Sequence, residues 1–145
     1  MALPKEKGTR AENELANKLW EMGYAVVRGP SSGSRVKKRY QPDIVALKKG
    51  KIVVAEVKTG ERLKPIYIKS HQLAKLAGFA KRSGGLPVIA VKLRGNGWRI
   101  HTLESLELTK TGNAKISRPE AGYRLRDFDE LLFPKAKKLI EFMKP

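Results

Sequence analysis

Two acids and a lysine stand near the ends of two adjacent apolar runs. Asp43 opens the run 43–47, and Glu56 and Lys58 close the run 52–58. Between them lies Lys49-Gly50, a two-residue turn in which glycine takes the positive φ that a tight hairpin requires. With Lys48 opposite Lys51, antiparallel pairing sets Leu47 against Ile52, Val45 against Val54 and Asp43 against Glu56. Directly opposed residues point to one side, with Cβ atoms roughly 4.5–5.5 Å apart, and period-two alternation brings Lys58 to that side as well. Like charges so placed repel each other. The residues around them (Ile44, Val45, Ala46, Val53, Val54, Ala55 and Val57) leave both faces of the hairpin apolar, as in buried strands. A divalent cation compensates such a pair, and Mg²⁺ commonly binds through one or two carboxylates together with phosphate and water. Lys58 would add positive charge for an attacking water or a reacting phosphate. The plain alternative leaves all three charges at strand ends in solvent, with Lys58 neutralising Glu56.

The elements that must hold these residues follow from periodicity. Thr9-Arg10-Ala11-Glu12 starts a helix in which Ala11, Leu15, Leu19 and Met22 recur at helical spacing until Gly23. Residues 24–27 form a short strand, residues 29–41 a loop rich in Gly, Ser and basic side chains, and 65–68 a further extended piece. Ser70 is placed to cap a helix running to Lys81, with Leu73, Leu76, Ala77 and Ala80 inward. Residues 86–93 and 98–102 pair around Gly95-Asn96-Gly97. Residues 1–7 are expected as a flexible basic N-terminus, 109–122 as a polar connection, and 125–143 as a C-terminal helical segment interrupted by Pro134. The expected fold is α/β, a single domain with a central mixed β-sheet of about five strands flanked by helices.

Composition narrows the partners. The chain has 145 residues, 41% of them hydrophobic, which is enough for one packed core. Its net charge is +17 and its pI about 10.3, an excess that calls for a polyanion. Basic residues are spread along the chain, with clusters at 35–39 and 48–51, which favours nucleic acid over a membrane-bound amphipathic helix. No apolar run approaches the ~18 residues that span a bilayer, and the N-terminus lacks a secretory apolar stretch, so a cytoplasmic protein without a membrane partner is expected. The absence of cysteine excludes disulfides, thiolate metal sites and a cysteine nucleophile. Aromatic residues are few, which favours shape and phosphate recognition over base stacking.

Pro42-Asp43 followed by Glu56-Val57-Lys58 resembles the PD…(D/E)xK signature of restriction-type nucleases. Within that superfamily the chain resembles the archaeal Holliday junction resolvases. The likeness is carried by Lys7-Gly8-Thr9-Arg10-Ala11-Glu12, Gly23-Tyr24-Ala25-Val26-Val27-Arg28, Ser32-Gly33-Ser34 and Arg82-Ser83-Gly84-Gly85. It runs from about residue 5 to residue 98 and more loosely to the C-terminus. The resemblance implies a restriction-endonuclease-like fold and a homodimer that binds four-way DNA junctions. It implies symmetric paired nicks in recombination and repair, with Mg²⁺ (or Mn²⁺), no small-molecule cofactor, and work on the nucleoid in the cytoplasm. Asp43 and Glu56 would be metal ligands and Lys58 the catalytic lysine. Glu12 matches the family's first-helix glutamate, counted with the metal ligands, and Ser34 a loop serine near the cleavage site. Products would carry 5′-phosphate and 3′-hydroxyl ends. The family often has Arg directly after the helix-one glutamate; Asn13 stands there instead, with Arg10 as a nearby source of the charge.

Other candidates carry competing roles. Thr9-x-x-Glu12 is also a capping box, although Glu12 lies about 60° from the centre of the apolar stripe and so borders the buried face. Gln72 either touches the nucleophilic water or is an ordinary solvated glutamine. His71 and His101 have no partner at metal-ligand spacing and are expected on the surface or in hydrogen bonds. Lys5, Lys7, Arg10, Arg28, Arg35, Lys37, Lys38, Arg39 and Lys69 are the expected DNA contacts. Phe79 or Leu131-Leu132-Phe133 could supply a dimer surface. The alternatives to junction resolution are a nuclease of the same type acting on another DNA structure, or a basic nucleic-acid binder without catalysis.

Overall fold

Lys49 and Gly50 both take positive φ, 48° and 82°, the primed-turn geometry whose twist matches the flanking strands. In this computed structural model, which describes residues 4–29, 40–95, 97–135 and 143, with side chains from Gly8 onward, that turn joins β2 (Ile44–Lys48) to β3 (Lys51–Gly60). The register is the expected one, with Lys48 opposite Lys51, Leu47 opposite Ile52 and Val45 opposite Val54.

A first helix, α1 (Pro4–Glu21), precedes β1 (Ala25–Arg28). After the hairpin come β4 (Ile66–Ile68), α2 (Ser70–Ser83), β5 (Leu86–Leu93) and β6 (Gly97–Thr102). The chain continues through β7 (Glu107–Leu108), β8 (Ala114–Ile116) and α3 (Leu125–Leu132). The main sheet has the order β1-β2-β3-β5-β6. β3 and β5 are parallel and its other pairs antiparallel, so the expected mixed five-stranded sheet flanked by helices is present. Alternate residues of the strands build two cores. Ile44, Ala46, Val53, Ala55, Val88 and Ala90 pack with Leu15 and Leu19 of α1 and Phe128 of α3. Val54, Ile89, Val91 and Leu93 pack with Leu76 and Ala80 of α2. Fully buried leucines and isoleucines such as Leu15, Ile44, Leu76 and Ile89 each contribute about 1.5–3 kcal/mol.

Several expected boundaries move. The first helix starts at Pro4 rather than Thr9, because proline is preorganised for a first helical turn; residues 4–7, expected within a basic N-terminus, form that turn. Thr9 and Glu12 therefore lie inside the helix, where a capping box has no unpaired amides to satisfy. Ser70 is the first residue of α2 and Lys69 its cap position, with no side-chain cap. Ala77 is exposed, and Phe79 packs toward the core instead. The segment 109–122 is more than a connection: β8 is the middle strand of a second sheet, β4-β8-β7, with Ala114 and Ile116 buried. Three residues are too few for alternation to stand out in sequence. α3 ends at Leu132, just before the expected interruption at Pro134; Met143 is helical, and Asn96 and the rest of 136–145 lie outside the described residues. Among the described residues, no helix is long and apolar enough to cross a membrane.

The Lys48–Lys51 cluster is not part of a basic face beside the acids. It sits at the far end of the hairpin, roughly 17 Å along the strand from Glu56. Lys48 is also taken up by the fold: its Nζ donates to the Met22 carbonyl at 2.8 Å and pairs with Asp129 at 3.0 Å.

Candidate active site

Asp43 stands one residue ahead of β2, where the chain bends out of the ladder. Its carbonyl accepts a hydrogen bond from the Gly29 amide at 2.9 Å, tying it to the end of β1. Its carboxylate does not merely face Glu56. Oδ2 accepts the amide hydrogen of Val57 at 2.8 Å, so Asp43 is held against the backbone between Glu56 and Lys58. Glu56 and Lys58 share the α2-facing side of β3 by alternation with Val54. Tyr40 donates its hydroxyl to Glu56 Oε1.

Glu12 arrives from the other layer. On α1, Ala11, Leu15 and Leu19 face the sheet, leaving Glu12 and Glu14 on opposite flanks of that stripe. Glu14 pairs with Lys92 of β5 at 2.6 Å, and Glu12 pairs with Arg28 of β1 at 2.7 Å. The two ion pairs clamp the rotation of α1 over the sheet. Arg28 also donates to Asn13 Oδ1 at 2.5 Å, so its guanidinium, expected on DNA, is committed to α1. The residue at position 13, whose role the sequence left open, is a partner of Arg28.

Electrostatics mark the cluster. Burial pushes the Asp43 carboxyl up to about 6; the Val57 amide and Lys58 oppose that rise, and the Glu12 carboxylate reinforces it. Burial likewise raises Glu56 to about 7, against the pull of Lys58 and with a further push from Glu12. Two acids poised between protonated and charged forms near neutral pH make a site short of positive charge. Among the described residues, no three acidic or histidine side chains close into a ready-made cage. The donor set nevertheless suits a hard divalent cation, which needs only one or two carboxylates when phosphate and water complete its shell.

The remaining candidates separate. Lys58 is half-buried at the site, Gln72 is half-buried in the first turn of α2, and Arg10, Lys69 and His71 are exposed. His101 is buried, with Nε2 2.7 Å from the Pro119 carbonyl, and burial lowers its basicity; it is a hydrogen-bonding histidine, as expected. Ser34, Arg35, Lys37, Lys38 and Arg39 lie outside the described residues, as do the side chains of Lys5 and Lys7. Two contacts were missed. Arg28 could have been found by pairing β1 with β2, which places it opposite Ile44 and beside Asp43. Tyr40 carries no sequence signal, because its contact with Glu56 spans 16 residues across a loop.

Two acids and a lysine gathered at one end of a mixed sheet, in a strongly basic chain, define a class: enzymes that cut nucleic-acid backbones. The family described as archaeal Holliday junction resolvase (Hjc) matches residues 4–138. The chain is 38% identical over 125 residues to the crossover junction endodeoxyribonuclease Hjc of Sulfurisphaera tokodaii, covering 85% of each. It is 35% identical over 130 residues to the corresponding protein of Sulfolobus acidocaldarius, covering 88% of this chain and 87% of that one. The solved structure of Archaeoglobus fulgidus Hjc, a Holliday junction resolvase, superposes with a TM-score of 0.72 at 31% identity, over 84% of this chain and 94% of that one. This chain belongs to the archaeal Holliday junction resolvase family. The nuclease class and the fold that the sequence resemblance implied are borne out.

Proposed function

We propose that this protein is a divalent-metal-dependent endonuclease that binds four-way DNA junctions as a homodimer and resolves them by paired symmetric nicks. One observation carries the site: the Asp43 carboxylate bonded to the Val57 amide, which sets both acids and Lys58 within one small, charge-hungry volume. Asp43 and Glu56, with Glu12 adjoining, would hold Mg²⁺ or Mn²⁺. The bound ion would polarise the scissile phosphate and acidify water for attack. Lys58 supplies positive charge beside the reacting phosphate. Arg28 keeps Glu12 turned toward Asp43, and Gln72 is a candidate to orient water.

Exposed Arg10 and Lys69 are the described candidates for phosphate contacts; Lys5, Lys7, Ser34, Arg35, Lys37, Lys38 and Arg39 extend that assignment from sequence. Such contacts make affinity salt-dependent and indifferent to sequence. A dimer is supported by an uncovered stretch of the sheet. α2 packs against β3 and β5, while Val27 and Leu47, apolar side chains on the same side of β1 and β2, are 59% and 37% exposed. An isologous pair of subunits would cover such a face twice and supply two active sites for two opposed nicks. Junction cleavage would place its work on nucleoid DNA in the cytoplasm.

The test is a synthetic four-way junction with mapped product ends, cut by wild type, Asp43→Asn and Glu56→Ala in Mg²⁺. Both variants are expected to bind the junction as wild type does and to lose at least about 1,000-fold in cleavage, several kcal/mol of transition-state stabilisation. Unimpaired cutting by either variant rejects the site. Equal affinity for linear duplex and junction rejects the substrate.

A further inference from the structure

We infer that Tyr40 is a positioning residue for the metal-binding carboxylate of Glu56. Three observations fix it. Its hydroxyl donates to Glu56 Oε1, and its ring meets Phe79 of α2 edge-on, with centroids 6.3 Å apart at 75°. Only Gln41 and Pro42 separate it from Asp43. The segment that follows Tyr40 is itself pinned. Pro42 is buried, the Gly29 amide bonds the Asp43 carbonyl, and a Cβ on Gly29 would overlap the Pro42 carbonyl oxygen. Residues 40–43 are thus held by β1 on one side and by α2 on the other. From that rigid stretch Asp43 reaches the Val57 amide while Tyr40 reaches Glu56.

A carboxylate that binds a cation through one oxygen can swing about its terminal torsion unless the other oxygen is held. The Tyr40 hydroxyl holds Oε1 and would leave Oε2 as the oxygen free to bind a cation. Hydrogen-bond partners of this kind typically account for about 10–100-fold in metal affinity or activity. The chain therefore orients its two acids from one short segment, Asp43 directly and Glu56 through Tyr40. The inference rests on Glu56 being a ligand, so the test includes a variant that examines that premise by itself.

Mn²⁺ is titrated by calorimetry into wild type, Tyr40→Phe and Glu56→Ala, and single-turnover junction cleavage is measured against Mn²⁺ concentration. Tyr40→Phe keeps the ring on Phe79 and removes only the hydroxyl. Its expected result is a roughly 10-fold weaker Mn²⁺ dissociation constant, with the cleavage curve shifted to correspondingly higher Mn²⁺. Melting midpoint and metal-free junction affinity are expected to match wild type. If Tyr40→Phe binds Mn²⁺ as wild type does while Glu56→Ala has lost it, Glu56 remains a ligand and the role of Tyr40 is overturned. If Glu56→Ala binds Mn²⁺ normally, the ligand assignment fails and the role of Tyr40 falls with it. A drop in melting midpoint and junction affinity alongside Mn²⁺ affinity would make Tyr40 a general structural residue and overturn the inference as well.

Discussion

Arg28 Nη2 lies 2.7 Å from Glu12 Oε2, joining the first strand to the first helix beside Asp43. Both side chains are partly buried, and the guanidinium also reaches Asn13. The pair sets which way Glu12 faces, and with it how much negative charge Asp43 and Glu56 must tolerate.

Removing one partner of a partly buried pair leaves the other charge uncompensated. Arg28→Ala is expected to destabilise the protein by roughly 2 kcal/mol in urea unfolding. It should also reduce cleavage far more than junction binding, because Glu12 is then released next to Asp43. Arg28→Lys, which keeps the charge but not the forked geometry, should fall between. Unchanged stability and cleavage in Arg28→Ala would show that the contact is incidental.

The raised acids predict an unusual pH profile for metal-free protein. A carboxyl whose folded pKa lies above its unfolded value binds more protons in the native state across that interval. Its contribution is fully present below about pH 4 and is lost as pH rises through about 6 for Asp43 and about 7 for Glu56. In the presence of a chelator, the melting midpoint is therefore expected to carry a component that falls between about pH 4 and pH 7, and Glu56→Gln should flatten it. Above about pH 7, Mg²⁺ or Mn²⁺ should raise the midpoint of wild type and not that of Glu56→Gln. A wild-type profile identical to that of Glu56→Gln contradicts the burial of this charge.

Gly29 is constrained by proximity alone. A side-chain carbon at this position would run into the Pro42 carbonyl oxygen, and no rotamer change relieves the clash, since the obstacle is backbone. Gly29→Ala is expected to cost more than about 2 kcal/mol and to displace Asp43, whose carbonyl bonds the Gly29 amide. Gly50→Ala, with open space around its Cβ but φ at +82°, should cost only about 1 kcal/mol and leave cleavage intact. Equal losses of cleavage in the two variants would count against a link between Gly29 and the site.

Position in the fold predicts which basic residues touch DNA. Arg10→Ala and Lys69→Ala are each expected to reduce the slope of log affinity against log salt by about 0.9, one phosphate contact apiece. Lys49→Ala, in the turn at the other end of the sheet, should leave the slope unchanged. Fluorescence anisotropy of a labelled junction from about 50 to about 200 mM salt separates the two patterns.

The amino-acid sequence by itself determined the hairpin from Ile44 to Lys58, its turn at Lys49-Gly50, and the gathering of Asp43, Glu56 and Lys58 near one strand end. Those features depend on turn chemistry and period-two alternation, both set by residues a few positions apart. Tertiary structure alone decided that Arg28 holds Glu12, that Tyr40 holds Glu56, that Lys48 is absorbed by Asp129, and that Ala114 and Ile116 seed a second sheet. These contacts join side chains 16 to 81 residues apart or strands too short to show a pattern. They come into being only when helix and sheet faces pack, and no local preference encodes which distant neighbour each side chain will meet.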